Sequence, residues 1–350
     1  MQRELTIGDR KVGPGHPVYV VAELSANHNG DLEHAKKVIR AMAESGADAV
    51  KIQTYTADTL TIPCDNEHFK IGGGTLWDGK TLHELYQEAY MPWEWTAPLK
   101  ALTEELGMDF FSTPFDDSAV EFLEALGVLV HKIASFELVD IPLLKSVAKT
   151  GKPIIASTGM ASLDEIEEAV KTIREAGCDQ LVLLKCTSAY PAKPEEMDLA
   201  TLTDMAERFG VAVGLSDHTM GHTVPVAAVA LGACVVEKHV TLSRSDKGPD
   251  SSFSMEPTEF KEMVDAIRMT EKALGRVNYE VSDDEGKSRV FRRSLFVTQA
   301  MKKGEAFSAE NVRSIRPGGG LHTRHLDEVI GKVAATDIGL GTPLSWDLVE

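Results

Sequence analysis

Residues 151–184 read GKPIIASTGMASLDEIEEAVKTIREAGCDQLVLL. An apolar run, Ile154-Ile155-Ala156, leads to hydroxyl residues. Ser162 and Glu165 then stand at the spacing of a capping box, in which each side chain satisfies a backbone N–H left open by the first helical turn. Ile166, Ala169, Val170 and Ile173 follow at helical period and make one apolar face. Gly177 ends that helix, since glycine accepts the left-handed turn at a helix C-terminus without steric cost. A second apolar run, Leu181-Val182-Leu183-Leu184, follows within a few residues.

The same junction of helix, glycine and strand recurs along the chain. Gly46 precedes Ala49-Val50-Lys51-Ile52, Gly107 precedes Phe110-Phe111, Gly127 precedes Val128-Leu129-Val130, and Gly151 precedes the run quoted first. Gly210 precedes Val211-Ala212-Val213 and Gly232 precedes Cys234-Val235-Val236. With Val18-Tyr19-Val20-Val21-Ala22 in front, eight strands alternate with helices, the last helix running from about Thr258 to Gly275. Asp116 and Asp140 read as N-caps. This is the count of an α/β, (β/α)8 TIM barrel. A doubly wound open sheet is the rival, but no G-x-G-x-x-G turn follows the first strand, which disfavours its dinucleotide-binding form.

The chain has 350 residues, 43% hydrophobic and 26% charged, with room for one barrel and a small appendage. A net charge of −18 disfavours nucleic acid or an anionic membrane as the main partner, yet leaves open a locally basic pocket for an anionic substrate. No segment reads as a signal peptide or membrane span, so a cytoplasmic protein is expected. Cys64, Cys178, Cys186 and Cys234 lack paired spacing and read as buried reduced thiols. Residues 54–92 form a long insertion after the second strand, a position suited to a lid or substrate clamp. After Gly275 the polar stretch 276–290 and the turns at Lys302-Lys303-Gly304 and Pro317-Gly318-Gly319-Gly320 read as a linker and a compact terminal domain. The division expected is 1–280 and 281–350.

Barrel enzymes place their chemistry at the C-terminal ends of the strands. Here those ends are polar: Glu23, then Lys51 and Gln53, Ser112-Thr113, Lys132 and Ser135, Ser157-Thr158-Gly159, Lys185-Cys186-Thr187, Ser216-Asp217-His218 and Glu237-Lys238-His239. Neighbouring hydroxyls with Lys51 and Lys132 match the donors and positive charge a phosphate requires; the alternative is ion pairing of the lysines with Glu23, Glu137 or Glu237. His218 and His239 close adjacent strands and suit a divalent metal with open positions that polarises an oxygen. Glu23 is a candidate for acid/base work if apolar surroundings raise its pKa, or else it balances the lysines.

At these residues the sequence resembles the sialic acid synthase family, the bacterial nonulosonic acid synthases, over nearly its whole length. The motifs are Ala22-Glu23-Leu24-Ser25-Ala26-Asn27-His28, Lys51-Ile52-Gln53-Thr54, Ser112-Thr113-Pro114-Phe115 and Lys132-Ile133-Ala134-Ser135-Phe136-Glu137. Ser157-Thr158-Gly159-Met160, Gly214-Leu215-Ser216-Asp217-His218, Glu237-Lys238-His239 and Gly248-Pro249-Asp250 follow. Arg293-Ser294-Leu295, Lys303-Gly304-Glu305 and Ile315-Arg316-Pro317-Gly318 are similar to the family's C-terminal antifreeze-like (SAF) domain. Within the family, Gly74-Thr75-Leu76-Trp77-Asp78-Gly79 and Ala89-Tyr90-Met91-Pro92-Trp93-Glu94-Trp95 resemble the pseudaminic acid branch.

The resemblance implies condensation of phosphoenolpyruvate with a diacetamido-trideoxy hexose and water, giving pseudaminate and phosphate. Its alternatives are legionaminate or N-acetylneuraminate by the same chemistry. It implies that His218 and His239 hold Mn²⁺ or Mg²⁺, that Lys51, Thr113, Lys132, Ser135, Ser157 and Ser216 bind phosphoenolpyruvate, and that Glu23 handles protons. Gln53, Phe115, Glu137, Tyr190 and Asp250 are implied to face the sugar. A domain-swapped homodimer, with Arg316 reaching the partner chain's site, is implied as well.

Overall fold

The computed structural model describes residues 4–74, 77–246 and 248–350, in two compact units, Met1–Gly275 and Arg276–Glu350. The division falls after Gly275, five residues before the one expected from sequence.

The first unit opens with an antiparallel hairpin, β1 (Leu5–Ile7) and β2 (Arg10–Val12), which the sequence reading did not foresee. A closed parallel barrel follows: β3 (Tyr19–Glu23), β4 (Ala49–Thr54), β5 (Asp109–Pro114), β6 (His131–Ile133), β7 (Ile154–Ser157), β8 (Leu181–Cys186), β9 (Ala212–Asp217) and β10 (Val235–His239), with β10 pairing back onto β3. The fourth barrel strand is His131–Ile133, whereas the apolar run Val128-Leu129-Val130 was expected to form it. Gly127, left-handed at φ 73°, ends the preceding helix, and residues 128–130 carry the chain into the barrel. Val130 nonetheless packs inside it.

Strand alternation sorts the side chains. Val20, Ala22, Val50, Ile52 and Phe110 point outward to the helices, as do Ile154, Ala156, Leu181 and Leu183 on the opposite side. Tyr19, Val21, Ala49, Phe111, Ile155, Val182, Leu184 and Val235 point inward and fill the lower barrel, where Leu5, Ile7 and Val12 of the hairpin join them. The hairpin thus plugs the barrel floor. Arg10 secures it through Asp48 at 3.3 Å and Asp109 at 3.1 Å. Gly214 on β9 is required by this filling, since a Cβ there would strike the Val235 carbonyl and the Leu184 side chain.

The outer layer contains helices Leu32–Glu44, Thr96–Glu105, Asp117–Leu126, Ile141–Ala148, Leu163–Glu175, Thr201–Phe209, Thr223–Ala230 and Pro257–Leu274. The Ser162–Glu165 capping box is formed, and Asp116 and Asp140 cap their helices. The insertion after β4 is largely ordered, with helices Ala57–Leu60 and Leu82–Ala89. No described helix is long and apolar enough to cross a membrane. All four cysteines are free; Cys178, Cys186 and Cys234 are buried and Cys64 is half-buried.

The second unit pairs β11 (Ser294–Val297) with β12 (Val312–Ile315) around a core that includes Leu295, Val297, Phe307, Val312, Ile338 and Leu344. Gly320 lets the chain pass against the Leu295 carbonyl, which a Cβ would hit.

Candidate active site at the barrel mouth

Above the apolar layers the same inward positions become polar, and they line a cavity of about 440 Å³. Glu23, Lys51, Gln53, Lys132, Ser157, Ser216 and His239 reach it from the strands, and Phe115, Ser135, Glu137, Tyr190, His218 and Asp250 from beyond their ends. Thr113 lies opposite Gln53 in the sheet register, fully buried with a hydroxyl that has no partner, but it does not line the cavity. Arg316 belongs to the second unit, exposed just after β12.

The cavity floor is a compact set of ions. Lys51 Nζ lies 2.6 Å from Glu23 and 3.4 Å from Glu237, and Lys132 Nζ lies 3.6 Å from the same Glu237 oxygen. Lys132 donates to Ser157 Oγ at 2.7 Å, Gln53 to Glu23 at 3.0 Å, and Ser216 to Glu237 at 3.1 Å. The two ammonium groups and two carboxylates balance, as buried charges must if they are to remain ionised. The lysines are ion-paired with Glu23 and Glu237, and hydroxyls stand beside them at the mouth.

Glu23 departs from one expectation. Burial alone would raise its pKa, but His239, Lys51 and Lys132 outweigh that and hold its carboxyl well below the usual range. It is an ionised acceptor. Burial opposes the charge on Lys51, but Glu23 and Glu237 overcome this and raise its pKa; burial prevails at Lys132 and lowers it. Glu137, with one buried carboxyl oxygen unpartnered, is pushed up to about 7 by burial.

The imidazoles of His218 and His239 are 5.4 Å apart between ring centres. His218 Nδ1 is 3.0 Å from the Thr187 carbonyl, which can only accept, so Nδ1 carries a proton and Nε2 holds the lone pair whenever the ring is neutral. Burial opposes its charge, but Cys186, the Thr187 carbonyl and Glu23 outweigh that and raise its pKa. His239 has a buried Nδ1 without a partner, and its Nε2 is 3.3 Å from Glu23. Burial lowers the His239 pKa and so favours its neutral form. Tyr190 stacks 4.5 Å from His218 and Phe253 lies 5.2 Å from His239, fixing both rings. A ring nitrogen bonded to a carbonyl, an orphaned ring nitrogen and an adjacent carboxylate fit a divalent cation. Among the described residues no three His, Cys, Asp or Glu side chains form a ready-made metal cage.

Not every polar strand end faces the mouth. Lys238 and Asp217 point to the helix side and pair there, Lys238 also bonding the Thr219 carbonyl. Ser112 bonds Thr54, and Thr158 donates to the Leu184 carbonyl. Asn27 donates to the Val240 carbonyl and to Ser254, whose hydroxyl donates to the Asp250 carbonyl, while Ser25 donates to the Asp250 carboxylate. The segment after β3 thereby places Asp250.

In the insertion, Trp77 lines the cavity 5.8 Å from Tyr190. Thr75 and Leu76 lie outside the described residues. Trp93 packs on Phe122 at 4.9 Å and Trp95 on His28 at 5.8 Å, so these tryptophans anchor the insertion and neither faces the cavity. Sequence reading missed Tyr55, Tyr86 and the cavity role of Cys186. The Cys186 thiol, raised by burial, is brought down to about 7 by His218, Ser135 and Lys132. Counting inward positions by twos from Ser216 and Glu237 would have separated Asp217 and Lys238 from the site.

The NeuB family model matches residues 38–279 and the SAF domain model residues 292–350. The chain belongs to the NeuB family. This NeuB chain is 47% identical to the pseudaminic acid synthase of Campylobacter jejuni over 93% of its own length and 95% of the relative's. It is 45% identical to that of Helicobacter pylori, over 95% and 98%. A crystal structure of the N-acetylneuraminic acid synthetase of Leptospira borgpetersenii, in complex with citrate, superposes with a TM-score of 0.73 at 33% identity, covering 82% of the NeuB chain and 95% of that one.

Proposed function

We propose that this chain catalyses the pseudaminic acid synthase reaction: phosphoenolpyruvate, 2,4-diacetamido-2,4,6-trideoxy-L-altrose and water give pseudaminate and phosphate. The observation that carries the reading is its 47% identity to a pseudaminic acid synthase over 93% of the chain. The cavity at the barrel mouth supplies the chemistry.

Phosphoenolpyruvate is a small, multiply charged anion, and Lys51, Lys132, Ser135, Ser157 and Ser216 offer it cations and hydroxyl donors in one place. Those donors hold the phosphoryl group as charge develops on its leaving oxygen. Since the floor is already balanced, the incoming anion calls for another cation, and His218 and His239 are the residues that would hold Mn²⁺ or Mg²⁺. When bound, the metal supplies Lewis-acid polarisation of the open-chain aldehyde. Glu23, kept ionised, is placed to accept a proton from the water that adds to the enolpyruvyl carbon. Gln53, Phe115, Glu137, Tyr190 and Asp250 line the space left for the sugar.

The working form is read as a domain-swapped homodimer in which Arg316 completes the partner's sugar site. Exposed Phe136, Met160 and Met220 beyond strand ends β6, β7 and β9 support a covering surface there. The reaction is read as cytoplasmic, a reading that the free cysteines and a metabolite substrate support.

The test incubates purified protein, Mn²⁺ and phosphoenolpyruvate with the diacetamido altrose, its legionaminate-series counterpart or N-acetylmannosamine. Phosphate release is measured and the product identified by mass spectrometry. Pseudaminate from the first sugar alone is the expected outcome; preferred turnover of another sugar refutes the assignment.

A further inference from the structure

The cavity has two unlike halves. Its floor is ionic, but the side formed by the insertion is apolar: Leu82, Leu85, Tyr86 and Ala89 stand at helical spacing on one face of helix Leu82–Ala89 and line the cavity. Tyr55 lies across from that face, 5.9 Å from Tyr86 and 5.2 Å from Phe115 between ring centres. Leu85 and Tyr55 are buried, yet neither they nor Leu82 and Tyr86 belong to any of the chain's hydrophobic cores. An eight-residue helix with a full capping box thus spends its apolar stripe on the cavity. Buried apolar surface of this kind discriminates by the methyl groups it covers and rejects hydroxyls that would lose water without gaining a partner.

The geometry points to this wall as the specificity determinant for the far end of the sugar. It takes the C6 methyl and the methyl of the C4 acetamido group, while the aldehyde end faces His218 and His239. The inference rests on the reaction proposed above and adds which residues choose its sugar. A hexose with hydroxyls at C4 and C6 would set two polar groups against Leu82, Leu85, Tyr55 and Tyr86.

The experiment is steady-state kinetics of the full-length protein with Mn²⁺, comparing the diacetamido altrose with N-acetylmannosamine. Leu82→Asn and Tyr86→Ala are run beside the wild type, and thermal unfolding confirms that each is folded. Leu82 is only half-buried, which keeps the first variant foldable. Both variants should raise KM for the diacetamido sugar at least tenfold while KM for phosphoenolpyruvate stays within twofold. The preference for the deoxy sugar should narrow by a similar factor. If folded variants keep the wild-type sugar KM, or if both KM values rise together, the wall is not the determinant although the reaction stands. If the wild type fails to turn over the diacetamido sugar, the reaction assignment and the inference fall together.

Discussion

At the scale of single residues, the site is governed by charge balance in a buried place. Lys51→Met leaves Glu23 and Glu237 with one ammonium between them, and breaking a buried ion pair from one side costs about 3–5 kcal/mol. Adding Glu23→Gln removes the excess negative charge, so the double variant should be more stable than Lys51→Met alone by about 1–2 kcal/mol in denaturant unfolding. Two additive single effects would refute the coupling. Glu137 gives a pH signature. Its folded pKa is raised from 4.5 to about 7, so between those values the folded protein keeps a proton that the unfolded chain has released. Stability therefore falls as pH rises through that window, by about 3 kcal/mol in all, and is level above it. Glu137→Gln should gain melting temperature over the wild type at pH 8 and none at pH 4.5. An offset independent of pH would show that burial does not tune this carboxyl.

Among the elements, the β7 end shows how a turn sets a side chain. Gly159 has φ 37°, and a Cβ on it would collide with the Ser135 side chain and with Ser188. Gly159→Ala should cost about 1–3 kcal/mol of stability. By pushing Ser135 aside it should also raise KM for phosphoenolpyruvate about tenfold, measured by phosphate release. An unchanged KM would show that Ser135 does not bind that substrate. Most elements were legible because helix, glycine and apolar strand repeat with little variation. The fourth strand was displaced because its own residues, His131-Lys132-Ile133, begin with two polar side chains, while the adjacent Val128-Leu129-Val130 forms the more apolar run. The floor hairpin has strands too short to show a period, though Gly8-Asp9 between them is a turn signal. Residue types announced the lysine and histidine positions. The direction of the Glu23 shift was not legible, because it depends on His239 and Lys51 standing within bonding distance across two strand seams.

For the whole molecule, the proposed swapped dimer makes a test in trans possible. Lys132→Met disables a chain's own barrel, and Arg316→Ala disables what it would lend. Mixed after dissociation and reassembly, the two inactive proteins should recover about a quarter of wild-type turnover, since half the dimers are mixed and each mixed dimer contains one intact site. No recovery would mean that Arg316 serves its own chain or none. The closure of the barrel has a further consequence for folding. In the register of β10 against β3, His239 stands opposite Glu23, so residues from the first and last barrel strands meet at the proposed cation position. An open or partly wound chain cannot offer that pair, and a metal that recognises it binds the closed state alone. Mn²⁺ should therefore raise the melting temperature in step with its concentration, a rise that His239→Ala abolishes. The pairing that joins the ring also brings the two sides of the proposed cation position together, so a chain whose barrel has not closed lacks that position.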